Sequence, residues 1–436
     1  MSRPSGLGRS ADLALAERDR GIPALACLLD DDGLSALLGE AVRVTRIRYK
    51  PGTSVLAAFI RSDGGPGQHG WATARGAGYG RKLYDRDRDS ARTDAGTRLL
   101  TLGPGTPETV VAVGGVDDDW RLRRALSWLR RHGLEQLRAA NCPPSEVRVL
   151  RYKPERRLVT EIPSASGPII VKTAARPWPP GLEPAVRARL AALGVPLLPE
   201  LANESCARHG ISASPRWGDG DLGDGAGRDA DDGGAAGTAS YRAGAALAAL
   251  HQVRLPPSPP QRPAVPVATG LIDDGAFARQ LSAVEAMVAA VFPELAGLAL
   301  RVRTTLLERL GMGGGQPPVL AHGDFSPDQV LVAGEGIRFI DFDRMTLAEP
   351  EADIGSFAAA EQIMARTRGA VRDGCSRTRH LTAGYQNASG SVSPGRVELW
   401  AACRMFSSCI EPFRDRRPDW PEDMGWQLER AMELAA

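Results

Sequence analysis

The stretch VLAHGDFSPDQVLV, residues 319–332, has two apolar arms that read as strands. Between them lie His322, Asp324, Pro327, Asp328 and Gln329, a polar knot that packing alone does not ask for. The chain then turns at Gly334–Gly336 and returns as IRFIDFDR, residues 337–344. The two arms form a β-hairpin, with Asp324 before its first strand and Asp341 and Asp343 after its second. Carboxylate and amide oxygens are hard ligands that suit Mg2+, and enzymes present nucleoside triphosphates on a magnesium held by few protein oxygens. Gln329, Asp341 and Asp343 are the candidate metal ligands. Asp343 is expected on the opposite side of the run from Asp341 unless the chain turns there, and so to matter less. Asp324, not needed for the metal, is free to accept a hydroxyl proton. Taken singly, each residue has a plainer reading: a lone Asp usually caps a turn, and His322 reads as a structural histidine.

Composition bounds the function. At 436 residues the chain exceeds one ordinary core, so two or three subdomains are expected. A hydrophobic share of 43% is that of a soluble globular protein. A net charge of +2 argues against a nucleic-acid binder working by bulk electrostatics. The 6 cysteines are scattered without a CxxC pair, so neither a disulfide framework nor a structural zinc is expected. A cytoplasmic location fits that usage. No apolar run approaches the roughly 20 residues of a membrane span, and the first 21 residues are too polar for a signal peptide.

The chain repeats itself once. VTRIRYKPGTSVLAAFI (44–60) and VRVLRYKPERRLVTEIP (147–163) align without gaps, Arg48-Tyr49-Lys50-Pro51 on Arg151-Tyr152-Lys153-Pro154. Each copy reads as strand, turn, strand, with the proline at the turn. A further strand follows each, GWATAR (70–75) and GPIIVKTA (167–174). Two copies suggest two related sheet-bearing units rather than a solenoid, which needs about three or more. In the first, Ala74 or Arg75 is expected where the second has Lys172. Lys172 alone reads equally as a lysine snorkelling from a strand edge.

Between the copies, WRLRRALSWLRRHG (120–133) has helical apolar spacing, and its arginines read as a solvated face. WGDGDLGDGAGRDADDGGAAGTAS (217–240) reads as a flexible linker or insertion. Its aspartates do not meet the spacing of a calcium loop. Beyond it the chain turns helical, with YRAGAALAALHQV (241–253), AFARQLSAVEAMVAAVF (276–292) and RVELWAACRMFSSCI (396–410) as the clearest segments.

Taken as a set, HGDFSPDQ followed by IDFDR resembles the catalytic and metal loops of the aminoglycoside phosphotransferase family, a branch of the protein-kinase-like fold. LAEPEADIGSF (347–357) and AGAALAALHQVRLP (243–256) add to the likeness. The resemblance implies an α+β bilobal protein-kinase-like fold with an extra N-terminal sheet-bearing cap. It divides the chain into a helical leader (1–41), a degenerate N-lobe-like cap (42–140), an ATP-binding N-lobe (141–216), the linker (217–240) and a helical catalytic C-lobe (241–436). It implies that Asp324 deprotonates an acceptor hydroxyl and that Asp341 and Gln329 bind Mg2+. Lys172 would pair with the ATP phosphates and Asp353 would support the loops. Gln329 stands where the family usually has Asn, which makes the maltokinase-like branch look closer.

The phosphate-covering loop is KPERR (153–157) rather than glycine-rich, so Arg156 and Arg157, with Lys153, are expected to clamp phosphate through side chains. The helix glutamate that kinases pair with such a lysine has only Glu183 as a candidate. The implied activity is ATP- and Mg2+-dependent phosphorylation of a small hydroxylated molecule such as an aminoglycoside or sugar. The alternatives are phosphorylation of Ser or Thr in a peptide, with the duplicated sheet offering an edge, and a nucleotide-binding pseudokinase. Neither nucleic acid nor membrane is expected as a partner.

Overall fold

The computed structural model describes residues 6–62, 68–76, 96–102, 110–133, 147–176, 184–224, 234–254, 275–313, 315–368, 376–389 and 392–436. Helices α1 (Gly6–Arg18), α2 (Leu25–Leu29) and α3 (Asp31–Leu38) lead into a five-stranded antiparallel sheet. Its strands are β1 (Val42–Lys50), β2 (Ser54–Arg61), β3 (His69–Arg75), β4 (Arg98–Thr101) and β5 (Val110–Gly115), ordered β1-β2-β3-β5-β4. After α4 (Arg123–His132) comes a second antiparallel sheet in sequence order: β6 (Arg148–Lys153), β7 (Arg157–Ile162), β8 (Ile169–Ala174) and β9 (Ile211–Pro215). Helices α5 (Pro184–Ala192) and α6 (Glu204–Arg208) lie between β8 and β9.

The remainder is mostly helical: α7 (Ala235–His251), α8 (Ala276–Val291), α9 (Ala296–Gly311), α10 (Pro350–Thr367), α11 (Ser376–Ser389), α12 (Pro394–Ser408), α13 (Glu411–Arg414) and α14 (Trp420–Ala435). Short strands are set among the helices: β10 (Gly220–Asp221), β11 (Val319–Ala321), β12 (Val330–Ala333), β13 (Gly336–Phe339) and β14 (Thr346–Ala348). Strand β10 pairs with β12, so the segment expected as a linker from 217 contributes to the C-lobe sheet, and α7 begins inside its far end. Residues 225–233 of that segment lie outside the described residues.

The two repeats agree bond for bond. In each, the residue after the turn donates to the lysine carbonyl: Thr53 N–H to Lys50 and Arg156 N–H to Lys153, both at 3.0 Å. Each turn residue after the proline has a left-handed backbone, Gly52 at φ 62° and Glu155 at φ 57°. Each is locked by an aspartate from an earlier segment. Asp19 Oδ2 accepts from Tyr49 Oη at 2.6 Å and Gly52 N–H at 2.7 Å. Asp119 Oδ2 accepts from Tyr152 Oη at 3.0 Å and Glu155 N–H at 2.6 Å. The register also corrects one expectation. Leu56 faces Thr73 as Val159 faces Lys172, so the counterpart of Lys172 is Thr73, not Ala74 or Arg75. Thr73 is buried and spends its hydroxyl on the Val55 carbonyl at 2.8 Å.

Burial ties the pieces together. The largest core joins Leu25, Leu28, Ile47, Val55 and Phe59 of the N-terminal unit to Val302, Phe406, Phe413, Trp420 and Leu428 of the C-terminal helices. The first helices therefore pack as part of that core. A second core lies within the helical lobe, around Leu247, Phe325, Phe339, Phe357 and Leu381. A third joins the two sheets through Leu56, Trp71, Leu122, Leu126, Tyr152 and Leu158. On α4, Ala125 and Leu126 are buried while Arg124, Arg130 and Arg131 are exposed, so the arginine face is solvated. Cys27, Cys206, Cys403 and Cys409 are free thiols; Cys142 and Cys375 lie outside the described residues. Among the described residues no helix is long and apolar enough to cross a membrane.

Helices α7 and α11 meet backbone to backbone. A Cβ on Gly244 would run into the carbonyl of Leu381, and one on Gly384 into the carbonyl of Tyr241. Carbonyls on packed helices have nowhere to retreat. Gly244→Ala should therefore destabilise the fold by about 1–3 kcal/mol, the usual cost of overpacking, read as a lower thermal midpoint. An unchanged midpoint would show that the two helices separate freely.

Candidate active site

The hairpin of β12 and β13 pairs Val330 with Phe339 through Ala333 with Gly336. One step beyond, Ile340 N–H donates to the Gln329 carbonyl at 3.1 Å. Gln329 is thereby fixed opposite the residue that precedes Asp341. Its side-chain Nε2 lies 3.4 Å from Asp328 Oδ2. Asp341 has a left-handed backbone, φ 65°, a region Asp tolerates better than most residues because its short side chain bonds locally. Residues Phe342–Arg344 then form a single 3₁₀ turn.

That turn brings Asp341 and Asp343 to the same cation. Lys172 Nζ, on β8, lies 2.6 Å from Asp341 Oδ1 and 2.6 Å from Asp343 Oδ2. Arg157, at the start of β7, reaches the same two carboxylates at 3.2 and 3.4 Å. The expectation that Asp343 faces away from Asp341 is thus wrong on two counts. Residues two apart share a side of any strand, and the chain here is not a strand. Burial opposes ionisation of both carboxylates. Lys172 and Arg157 outweigh it at Asp341, which is held well below the usual carboxylate range. At Asp343, burial and the neighbouring Asp341 charge prevail over Lys172, and the group is raised to about 6.

Asp343 Oδ1 is buried and has no hydrogen-bond partner. Two converging carboxylates, one with an oxygen still unused, are hard-oxygen donors of the kind that Mg2+ takes, while the amide of Gln329, whose backbone pairs across the hairpin, meets Asp328. Lys172 and Arg157 bring two positive charges to the same place, as a polyphosphate requires.

Asp324 sits on the loop before the hairpin. Arg404 Nη1, from α12, donates to its Oδ1 at 2.6 Å, and Arg344 Nε lies 3.6 Å from its Oδ2. The loop is pinned from behind. Asp353, near the start of α10 and only 1% exposed, accepts from His322 N–H at 2.6 Å and Gly323 N–H at 2.9 Å. His251 Nε2 lies 3.1 Å from the same carboxylate, and His251 Nδ1 lies 2.9 Å from Tyr385 Oη. Burial works against ionisation of Asp353, but the hydrogen bond and charge of His251 and the nearby His322 hold it below the usual range. His322 is fully buried, with Nε2 2.9 Å from the Ile340 carbonyl. It braces the loop against the hairpin.

The site therefore brings together Lys172, Arg157, Asp341 and Asp343, with Gln329 across the hairpin and Asp324 on the adjoining loop. Arg156 makes no contact with this cluster and is exposed in the β6–β7 turn. Partial burial and then the like charges of Arg48, Arg46, Arg414 and Arg344 lower its pKa. Glu183 lies outside the described residues. A carboxylate that does act electrostatically with Lys172 is Glu200, held by the N–H groups of Ala213 and Ala202 at 2.8 and 3.1 Å. Sequence reading missed Arg404 and Glu200. Arg404 lies within an ordinary amphipathic helix and Glu200 in an irregular segment, so neither carries a local signal.

The sequence model of the phosphotransferase enzyme family (APH) matches residues 162–390, more than half of the chain. Among curated proteins there is no significant match. Similar solved structures include a spectinomycin phosphotransferase in complex with ADP and spectinomycin, at 14% identity and TM-score 0.48, covering 66% of this chain and 92% of that one. An aminoglycoside-3'-phosphotransferase of type VIII is 17% identical with TM-score 0.46, covering 66% and 99%. A choline/ethanolamine kinase family protein from Mesorhizobium loti is 16% identical with TM-score 0.44, covering 71% and 94%. The match over 162–390 takes in both the Lys172 strand and the hairpin carboxylates, and the chain belongs to the phosphotransferase enzyme family, as an ATP-dependent kinase with an alcohol group as acceptor.

Proposed function

We propose that Asp324 accepts the proton of the acceptor hydroxyl and that Asp341, Asp343 and Gln329 hold Mg2+. In this reading Lys172 and Arg157 bind the ATP phosphates, and the acceptor is a hydroxyl of an aminoglycoside, a sugar or a related natural product. The observation that carries this reading is the shared position of Lys172 between Asp341 and Asp343, beside a loop that holds a third carboxylate. Bound Mg2+ supplies neutralisation of charge on the phosphates. Arg404 occupies one oxygen of Asp324 and orients the carboxylate, leaving Oδ2 lone pairs for the incoming hydroxyl. The acceptor oxygen forms a bond to the γ-phosphorus as its proton passes to Asp324. The bond from that phosphorus to the bridging oxygen breaks, and ADP leaves. Gln in place of Asn at 329 keeps a neutral oxygen beside the phosphates, the feature by which the maltokinase-like branch looks closer.

Asp324→Asn should keep the fold and nucleotide binding and lower turnover by about 10²–10⁴, the range for a positioned acid–base group. Turnover is measured by mass spectrometry with panels of aminoglycosides, sugars, amino alcohols and Ser/Thr peptides. Near-normal turnover would make Asp324 structural, and product on peptides alone would replace the small-molecule acceptor. Because both loop carboxylates meet the same lysine, Asp341→Ala and Asp343→Ala should each abolish turnover at ordinary Mg2+ concentrations. A mild Asp343→Ala phenotype would restrict the metal set to Asp341 and Gln329.

Lys153 lies at the end of β6 with Arg151, Arg46 and Arg157 around it. Burial first, and then these like charges, push its ammonium down to about 7. A depressed lysine is charged below that pH and loses its charge as pH rises through it. ATP affinity should therefore carry a component that weakens between pH 6 and 8, by roughly fivefold for about 1 kcal/mol of charge attraction. Lys153→Met should remove that component in calorimetric titrations. An unchanged pH slope in the variant would place Lys153 away from the phosphates.

A further inference from the structure

The β6–β7 turn, residues 154–156, stands where a nucleotide-covering loop is needed, since Arg157 immediately after it reaches Asp341 and Asp343. Glycine-rich loops cover phosphates with backbone amides. This turn has none of that composition, and the Glu155 side chain and backbone N–H at its centre are held from the N-terminal unit. We infer that this unit acts as a clamp on the turn, with Arg48, Asp119, Trp120 and Glu155 as positioning residues for the triphosphate; the inference rests on the nucleotide site proposed above.

Glu155 is 7% exposed although it sits in a surface turn. Its carboxylate accepts from Arg48 Nη2 of β1 and from Trp120 Nε1. Arg121 Nε lies 3.8 Å from it. Its backbone N–H donates to Asp119, which is 1% exposed and also takes the N–H groups of Arg121 and Leu122 at 3.0 and 3.2 Å. One buried carboxylate thus binds the turn backbone, the Tyr152 hydroxyl and the start of α4 at once. Trp120 in turn packs on Trp71 of β3, ring centres 5.4 Å apart. These side-chain holds lead back into the first sheet or the segment that follows it, while the turn backbone is also tied within its own sheet, where Ala175 N–H donates to the Arg156 carbonyl at 2.9 Å.

The repeat shows what is special in this copy. The Asp–Tyr lock is present in both units, and the backbone at position 155 is the left-handed one that Gly52 adopts in the first. Glycine is the cheap residue for that backbone, and a glutamate there costs on the order of 1 kcal/mol. The second copy bears that cost and gains a side chain that reaches Arg48, the arginine of the other copy's Arg-Tyr-Lys-Pro motif. The matching residue in the second copy, Arg151, is exposed. The motif is shared, but the ion pair runs from cap to lobe. A turn fixed in this way is pre-organised for phosphate, which raises affinity by avoiding the ordering cost on binding.

The test uses the full chain and calorimetric titration with Mg·ATP and with AMP. Glu155→Gly relieves the left-handed backbone and removes the clamp. Arg48→Met leaves Glu155 in place and removes its partner. Both variants should bind ATP roughly tenfold more weakly, the effect of losing one ordered segment. AMP affinity should be unchanged, and the Glu155→Gly thermal midpoint should not fall. Glu155→Gln, which keeps an acceptor for Trp120, should fall between wild type and Glu155→Gly. ATP affinities equal to wild type in both variants would overturn the clamp while leaving the nucleotide site intact. Equal weakening of ATP and AMP would also overturn it, by showing a general loss of structure. If the wild-type chain binds neither nucleotide, the nucleotide site itself fails and the clamp with it.

Discussion

Two carboxylates on one turn, Asp341 and Asp343, converge on a single lysine, and much of the architecture follows from keeping them there. Like charges this close repel, and burial makes each more expensive to ionise. The arrangement holds only because Lys172 and Arg157 arrive from the opposite lobe, on β8 and β7. The four-stranded sheet is therefore tied electrostatically to the helical lobe at the proposed site. The split acidity of the two carboxylates is the expected consequence of two negative groups sharing cations. A divalent cation would offset part of the charge that a polyphosphate brings, and the remainder would fall to Lys172 and Arg157.

The same logic extends outward through Asp353. A fully buried carboxylate is tolerable only with its hydrogen bonds filled, and Asp353 fills them from His251 and from the N–H groups of His322 and Gly323. His251 belongs to α7, and its other ring nitrogen meets Tyr385 on α11. The loop that carries Asp324 is thus referenced to a helix pair whose closeness depends on Gly244 and Gly384. A small-residue contact between two helices thus contributes to placing Asp324.

What was legible in the sequence was whatever has a local period or a local signature. The hairpin and its carboxylates, the repeat and the helices over 241–253, 276–292 and 396–410 were readable because each is specified by neighbours along the chain. Register was harder to read. Assigning Ala74 or Arg75 to the place of Lys172 failed because the turn between β2 and β3 differs in length from that between β7 and β8, and only the strand pairing identifies Thr73. The side of Asp343 needed no fold to read, since residues two apart share a side of a strand; what leaves no trace in composition is the turn that begins at the left-handed Asp341. Asp19, Asp119 and Arg404 were silent for a different reason. Each acts across about 30 residues or more of sequence, on partners that only the fold supplies.

The N-terminal unit shows why duplication need not mean duplicated chemistry. A sheet unit has an intrinsic requirement, the locked turn, and an extrinsic one, something to pack against. Both copies meet the first in the same way, through an aspartate, a tyrosine hydroxyl and a left-handed residue. They differ in the second. The first copy buries Ile47, Val55 and Phe59 against the C-terminal helices, and its lysine-equivalent position is a buried threonine with a satisfied hydroxyl. A charged side chain at Thr73 would have no carboxylate pair to meet and would be buried at the cost of an unpaired ion. Thr73 lies on the other face of its strand, with Trp71 and opposite Leu56, and that face is spent on the contact between the two sheets. The same unit sends Arg48 from β1 to Glu155 in the turn of the second copy, so its place in the molecule is support of its neighbour rather than a second copy of the Lys172 site.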